Sequence, residues 1–279
     1  MAGEARTQEF NFSDATLMVG PMADVMNLTP TAHSIGLIKN LNVTMTPTKV
    51  DLTAGIRNTK VHTTITNMEV SVATEVYEYT PKNIAYALGV EADQYGLYPN
   101  HQLAANVTGD GLTVDTFVIS STSDISAEYP VNSWILLRND TLNQADLVFL
   151  AKVKSRVYDA NYDTLTVEMD RVLPVGFNFK IGDTVCRQNQ IPVGKKEAQG
   201  YVGIKIAAKL PEGGNITMII PRAQIREGFN LSFIGDNYSN MPFVWDALEA
   251  VPSDPLYDDF KDVGGIIHLF MGGHRLTSI

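Results

Sequence analysis

The chain has 279 residues, 44% of them hydrophobic and 19% charged, which is enough to bury one large core or two smaller ones and excludes a disordered or fibrous protein. A formal charge of -10 excludes the mode of nucleic-acid binding that neutralises phosphates with clustered Lys and Arg. The single cysteine, Cys186, makes neither an intramolecular disulfide framework nor a thiolate zinc site.

The first ten residues, Met1 to Phe10, lack the basic region and apolar run of a secretory signal. No later stretch approaches the roughly 18 consecutive apolar residues of a membrane span. The expectation is a soluble chain made in the cytoplasm and not embedded in a membrane. Residues 1–30 read as an arm: Met18, Met22 and Met26 recur every four residues, but Gly20-Pro21 interrupts a helix. Methionines adapt to irregular surfaces, so the arm docks either on a neighbouring subunit or on the chain's own core.

From Ile35 the pattern turns to strands. Gly36 to Met45 is one; Lys49 to Arg57 is another, whose Val50, Leu52, Ala54 and Ile56 alternate and predict one buried face. Thr59 to Tyr79 is a very long strand, with Met68, Val70, Val72 and Val76 alternating against Asn67, Glu69, Ser71 and Glu75. A helix follows, with Thr80 as N-cap, Pro81 at its first position and Gly89 at its stop.

Residues 97–196 change texture to short strands separated by turn signals, the pattern of an inserted small β-barrel. Phe149, Ala151 and Val153 are answered by Leu165, Val167 and Met169 across Asn161-Tyr162-Asp163, as in a hairpin, and Trp134 is the expected large core residue. Longer strands return in residues 197–279: Tyr201 to Leu210, a turn at Pro211-Glu-Gly-Gly, then Asn215 to Pro221. A helix is expected at Pro242 to Ala250 with Asn240 near its cap, then an acidic loop from Asp254 to Asp262 and a strand from Gly265 to Met271. Residues 31–96 and 197–279 therefore read as two parts of one domain.

No nucleophile elbow, phosphate loop, dinucleotide fingerprint or zinc-protease helix is present, and no catalytic, cofactor-binding or metal-ligating residue is assigned. His268 and His274 flank Phe270-Met-Gly-Gly without a third ligand, and the Asp254 to Asp262 run lacks the calcium-loop register. Lys152, Lys154 and Arg156 near Phe149 and Tyr158 read as an exposed barrel face rather than a nucleic-acid strip.

The order of these segments resembles the tail tube proteins of tailed bacteriophages. The stretches that carry the likeness are Ile35-Gly-Leu-Ile-Lys-Asn, Val50-Asp-Leu-Thr-Ala-Gly, Glu75-Val-Tyr-Glu-Tyr-Thr-Pro-Lys-Asn-Ile-Ala-Tyr-Ala-Leu-Gly, Met218-Ile-Ile-Pro-Arg-Ala-Gln-Ile and Phe229-Asn-Leu-Ser-Phe. The resemblance implies a mainly β fold of two packed antiparallel sheets with a flanking helix, stacked as hexameric rings into the inner tube of a virion's tail. It implies as partners further copies of the chain, a tape measure protein, and sheath, baseplate and tail terminator proteins. DNA would pass through the lumen without specific binding.

Six subunits giving four strands each would close a barrel of roughly 45 to 50 Å backbone diameter. The expected strands are Lys49 to Ile56, Asn67 to Tyr79, Tyr201 to Lys209 and Asn215 to Ile220. Asn67, Glu69, Ser71 and Glu75 would line the lumen, where acidic groups repel phosphates at short range. Met18, Met22 and Met26 of the arm, with Thr46, Thr48 and Lys49, would form contacts between rings. The alternatives are another ring-forming tail or secretion-tube component, or a carbohydrate-binding β-protein with Trp134 or Trp245 in an exposed groove.

Overall fold

The computed structural model describes residues 15–54, 59–140, 147–194, 199–209, 215–230 and 240–272. Arg57, Ile56, the turn at residues 211–214 and His274 lie outside these, as does all of the arm before Ala15. The chain divides into two compact units, one of Met1–Gln94 with Val193–Ile279 and one of Tyr95–Pro192. Its secondary structure is mainly antiparallel β.

The first unit holds a seven-stranded sheet. Along it run β1 (Ala15–Gly20), β12 (Val202–Lys209), β13 (Asn215–Glu227), β14 (Met241–Ala247), β3 (Thr59–Val76) and β2 (Ile38–Ala54). A short β15 (His268–Gly272) pairs with β13 opposite Asn215–Ile219, end to end with β14, which pairs opposite Ala223–Glu227. β1 is tied on its other side to the segment entering β2, by the Ile35 amide donating to the Leu17 carbonyl at 3.3 Å and a bridge from Met18 to Ser34. The sheet therefore bends back on its apolar face, where Val19, Ile204 and Ile220 sit in one register row and Ile225, Trp245 and Val72 in another.

Two packed sheets were expected here, and one continuous sheet is found. A helix was expected at Pro242 to Ala250; the strand Met241–Ala247 is found there instead, and it joins β13 to β3. Met241, Phe243, Trp245 and Ala247 are all buried and alternate with outward residues, and this period of two with its aromatics prevails over the weaker helical spacing. Asn240 caps no helix; its side-chain amide donates to Glu75 Oε2 at 2.8 Å.

Helix α2 (Pro81–Leu88) forms as its ends dictate: Thr80 Oγ1 accepts from the Asn83 amide at 3.1 Å, and Gly89 stops the helix in the left-handed region at φ 68°. The buried Asn83 side chain donates to the carbonyls of Ile35 and Glu78, fastening the helix start to the strand approaches on either side. On the other face of β12 and β13, Met18, Val25, Leu28, Ile219 and Phe260 make a second cluster. It forms where the 3-10 turn Met22–Asn27 and the short helix α3 (Tyr257–Phe260) pack. The short helix α1 (Pro30–His33) leads from there toward β2.

β2 and β3 are 17 and 18 residues long and paired to each other throughout, with irregularities that include one between Thr48 and Lys49. The break expected between two strands near Thr46 to Lys49 is absent. Pro47 is accommodated because β2 is an edge strand, where a missing amide forfeits no ladder bond. β14 stops opposite Val70, so among the described residues positions 59–69 of β3 pair with β2 alone and the hairpin runs on past the sheet. Val50 and Leu52, expected on a buried face, are exposed there, Leu52 at 63%.

The second unit is a small barrel ordered β4 (Asn100–Gln102), β11 (Thr184–Gln188), β7 (Trp134–Arg138), β8 (Val148–Asp159), β9 (Thr164–Met169), β6 (Thr116–Ser120). A bridge from Leu103 to Ile119 closes it, and β5 (Val107–Thr108) with β10 (Asn178–Phe179) forms a separate ladder. Phe117, Ile135, Leu137, Phe149, Val167 and Val185 are among the residues filling its core. Trp134 is not among them. It is half-buried on the outer surface, one register step from the inward Ile135, with Lys152 and Arg171 over its ring and its indole N–H donating to Gln190 Oε1 at 2.7 Å.

Candidate assembly surface

Alternation along β3 puts Asn67, Glu69, Ser71 and Glu75 on one face of the sheet, with Thr48, Thr46 and Thr44 of β2 opposite the first three. Asp246 of β14 lies beside Ser71 and pairs with Arg226 at 2.8 Å. Asn67 and Glu69 are exposed, Ser71 and Glu75 half-buried. The surface is hydroxyl-rich and weakly acidic.

Glu75 is the fixed point of this face. Its carboxylate accepts from Asn40 Nδ2 at 3.1 Å, from the Tyr77 hydroxyl at 3.0 Å and from Asn240 Nδ2 at 2.8 Å. Those donors, Asn40 foremost, hold its carboxyl below the ordinary glutamate range. Sequence reasoning placed Glu75 on the polar face but missed Asn40 and Asn240, because Asn40 sits at a register irregularity within β2, at φ 54°, and Asn240 stands just before β14, in a segment whose pattern predicts a helix.

Lys205, expected on a lining strand, is engaged elsewhere: its ammonium donates to the carbonyls of Met26 at 2.8 Å and Leu28 at 3.2 Å, closing the 3-10 turn over β12. Lys209 is exposed at the end of β12. Of the six residues expected between rings, Met18 is buried at 1% exposure and packs on its own chain, because β1 joins the sheet instead of leaving as a free arm. Met22 is half-buried; Met26, Thr46, Thr48 and Lys49 are exposed.

Past the irregularity at Thr48, Val50 and Leu52 stand opposite Thr64 and His62, while Asp51 on the other face bonds Thr63 at 2.8 Å and Lys60 at 2.6 Å. Val61 and Ile65 are exposed as well. The distal hairpin thus presents apolar side chains with nothing of this chain packed against them among the described residues. The signal was present in the sequence: residues 59–66, rich in Thr with Lys60 and His62, offer no apolar face to bury the alternation of β2.

At the other end of the same sheet a cavity of about 460 Å³ opens between the end of β1, the C-terminal end of α2 and the start of β12. Pro21, Met22, Tyr86, Val90 and Trp245 are among its walls, with Glu91 and Asp93 beside them. A second, apolar groove of about 630 Å³ lies between Leu37–Val43 and the face of Ile206, Ala208, Ile216 and Met218.

Neither tryptophan offers an open stacking face, since Trp245 is 1% exposed and stacked on Phe243 at 4.9 Å, and Trp134 is covered by its two cations. Among the described residues no three His, Cys, Asp or Glu side chains converge as metal ligands. His268 is buried against Phe260, and Asp254 accepts from the Val251 amide at 2.8 Å and faces Arg222 at 3.5 Å. The basic residues of β8 are engaged within the barrel, Lys154 with Glu168 and Arg156 with the Tyr129 carbonyl. No helix among the described residues is long and apolar enough to cross a membrane. Comparison of the sequence with known protein families and with curated proteins finds no match.

Proposed function

We propose that this chain is a structural virion protein, the subunit of a phage tail tube, whose copies form stacked hexameric rings around a channel for DNA ejection. The observation that carries the reading is the β2–β3 hairpin, a long edge element that runs past its own sheet with exposed apolar residues. A free edge strand of this length invites pairing with another chain, and closure into a ring is the arrangement that ends such pairing without aggregation. A two-stranded ribbon is marginal in water alone, so its apolar residues call for a partner surface.

In this reading the face of Asn67, Glu69, Ser71 and Glu75 lines the channel. A wall of amides and hydroxyls with ionised carboxylates gives phosphates nothing to bind, and DNA slides past it or a tape measure protein fills it. Sheath, baseplate and tail terminator proteins would meet the outer surface and the ends. Non-enzymatic action follows, because self-assembly is the whole of the activity. Negative-stain microscopy of the purified chain, alone and with co-expressed tail proteins, should yield rings with sixfold symmetry or tubes. Only monomers or irregular aggregates under both conditions would sink the proposal.

A further inference from the structure

The cavity at the end of β1 lies wholly within the first unit. Its volume of about 460 Å³ falls within the range of small-molecule sites, roughly 300 to 1,000 Å³. Tyr86, Ile225 and Trp245, at 5%, 4% and 1% exposure, form its floor. That floor is fixed by the chain itself: the Tyr86 hydroxyl is engaged by the Val19 carbonyl at 3.0 Å, and Trp245 is stacked on Phe243 at 4.9 Å. Walls held in this way are preorganised, so an occupant loses little free energy in ordering them.

The charges at the mouth are of one sign. Glu91 and Asp93 are exposed and line the cavity on its solvent side, and no Lys, Arg or His stands among its described walls. Two cations close by are engaged: Lys82 lies 3.8 Å from Asp93 and donates to the Ala32 carbonyl at 3.4 Å, and Arg222, over the Tyr201 ring, faces Asp254 at 3.5 Å. Among the described residues the Glu91 carboxylate has no such partner, while its backbone carbonyl accepts from Gln94 Nε2 at 3.4 Å. The end of α2, at Gly89 and Val90, adds the negative end of the helix dipole to the same walls.

We infer that this cavity is a binding site for a small organic cation, an ammonium group on an aromatic or aliphatic body, with the body against Tyr86, Ile225 and Trp245 and the ammonium at Glu91. An anion of the same shape meets two carboxylates, and a neutral analogue leaves Glu91 unpaired, so the site selects by charge as well as by shape. The site uses neither the β2–β3 hairpin nor a second copy, and it therefore goes beyond the assembly reading. An occupant bridges β1, α2 and β12, and raises the melting temperature as its concentration rises.

The test uses the full chain and three probes of similar shape and different charge: phenylethylamine, phenylethanol and phenylpropionate. Trp245 reports from the wall itself in a Trp134→Phe background, since these are the two tryptophans of the chain. Phenylethylamine should change the Trp245 emission saturably and raise the melting temperature. Phenylethanol should bind about fivefold more weakly, the scale of one solvent-facing charge contact, and phenylpropionate more weakly still. Glu91→Gln, at an exposed position, should weaken phenylethylamine by the same factor. Gly200→Phe fills the cavity from its wall, where a Cβ meets nothing closer than the Gly89 carbonyl oxygen at 3.8 Å, and should abolish the response. A melt without ligand establishes that this variant folds; if it does not, Ala23→Phe, at another exposed lining position, replaces it. Equal affinity for the three probes, an affinity unchanged by Glu91→Gln, undiminished binding by the filled variant, or no saturable response at millimolar concentration would each overturn the site. Rings or tubes are read separately by microscopy, so none of these outcomes bears on the assembly reading.

Discussion

The hydroxyl of Tyr86 donates to the carbonyl oxygen of Val19 at 3.0 Å, joining α2 to β1 across 67 positions of sequence at a buried site. Burial pushes the phenol well above its ordinary value, so it remains a donor at every pH of interest. Tyr86→Phe removes that donor and leaves the acceptor in place, and should lower stability by about 1 to 2 kcal/mol. A fall in the denaturant midpoint with unchanged slope is the expected result; an unmoved midpoint would contradict the bond's role.

The hairpin separates assembly from stability. Leu52→Ser and Ile65→Ser change side chains already in water, so the folded monomer should keep its stability within about 0.5 kcal/mol. Assembly read by light scattering should nevertheless be lost. A substantial drop in monomer melting temperature would mean that these residues pack within their own chain.

Glu75 gives the polar face a pH signature. Its folded carboxyl titrates below the ordinary value of 4.5, so its contribution to stability is present above that value and disappears as pH falls through the folded one. Thermal melts from pH 6 down to 3 should fall less steeply for Glu75→Gln than for wild type. Parallel curves would show that the three donors do not favour the ionised form.

His268 acts in the opposite sense to a paired histidine. Among the described residues its Nε2 has no hydrogen-bond partner, and burial lowers its basicity, so the folded state resists protonation while the unfolded chain takes up a proton near 6.5. Stability is therefore full above that value and declines as pH drops below it. His268→Leu should flatten that part of the profile, which denaturation at pH 7.5 and 5.5 would measure.

Gly109 tests the second unit by itself. A Cβ at this position would stand 1.9 Å from the Pro174 carbonyl oxygen, a backbone atom that cannot swing away. Gly109→Ala should lower the barrel's stability by about 1 to 3 kcal/mol. Hydrogen exchange should report weakened protection in residues 100–188 and little change in β12 to β14.

The legible parts of the sequence were those with a strong local signal. The α2 helix declares itself by Thr80, Pro81 and Gly89, and the β8–β9 hairpin by its facing alternation, because caps and period-two patterns are written in neighbouring residues. Pro242 to Ala250 was misread as a helix because Val244, Ala247, Leu248 and Val251 mimic a helical stripe, while the burial that decides the matter comes from β3 and β13, distant in sequence. Trp134 was misplaced by one step of register, which sends a side chain to the opposite side of a strand. Glu69 and Ser71 fall on the polar face that the alternation predicts, but the Asn40 and Asn240 donors on Glu75 depend on a register irregularity in β2 and on the start of β14, and the carbonyls that hold Lys205 on the path between β1 and α1, none of which a local pattern encodes.

The amide of Gly200 donates to the carbonyl of Gly89 at 2.9 Å, and within the barrel the side chain of Asn189 donates to the carbonyl of Gly96 at 2.7 Å. The polypeptide thus leaves the first unit and re-enters it at a single doorway, and the barrel closes its own two ends in the same way. Such an insert should be detachable: exchanging residues 95–192 for another globular module, or for a few glycines, is expected to leave the register of the host sheet unchanged.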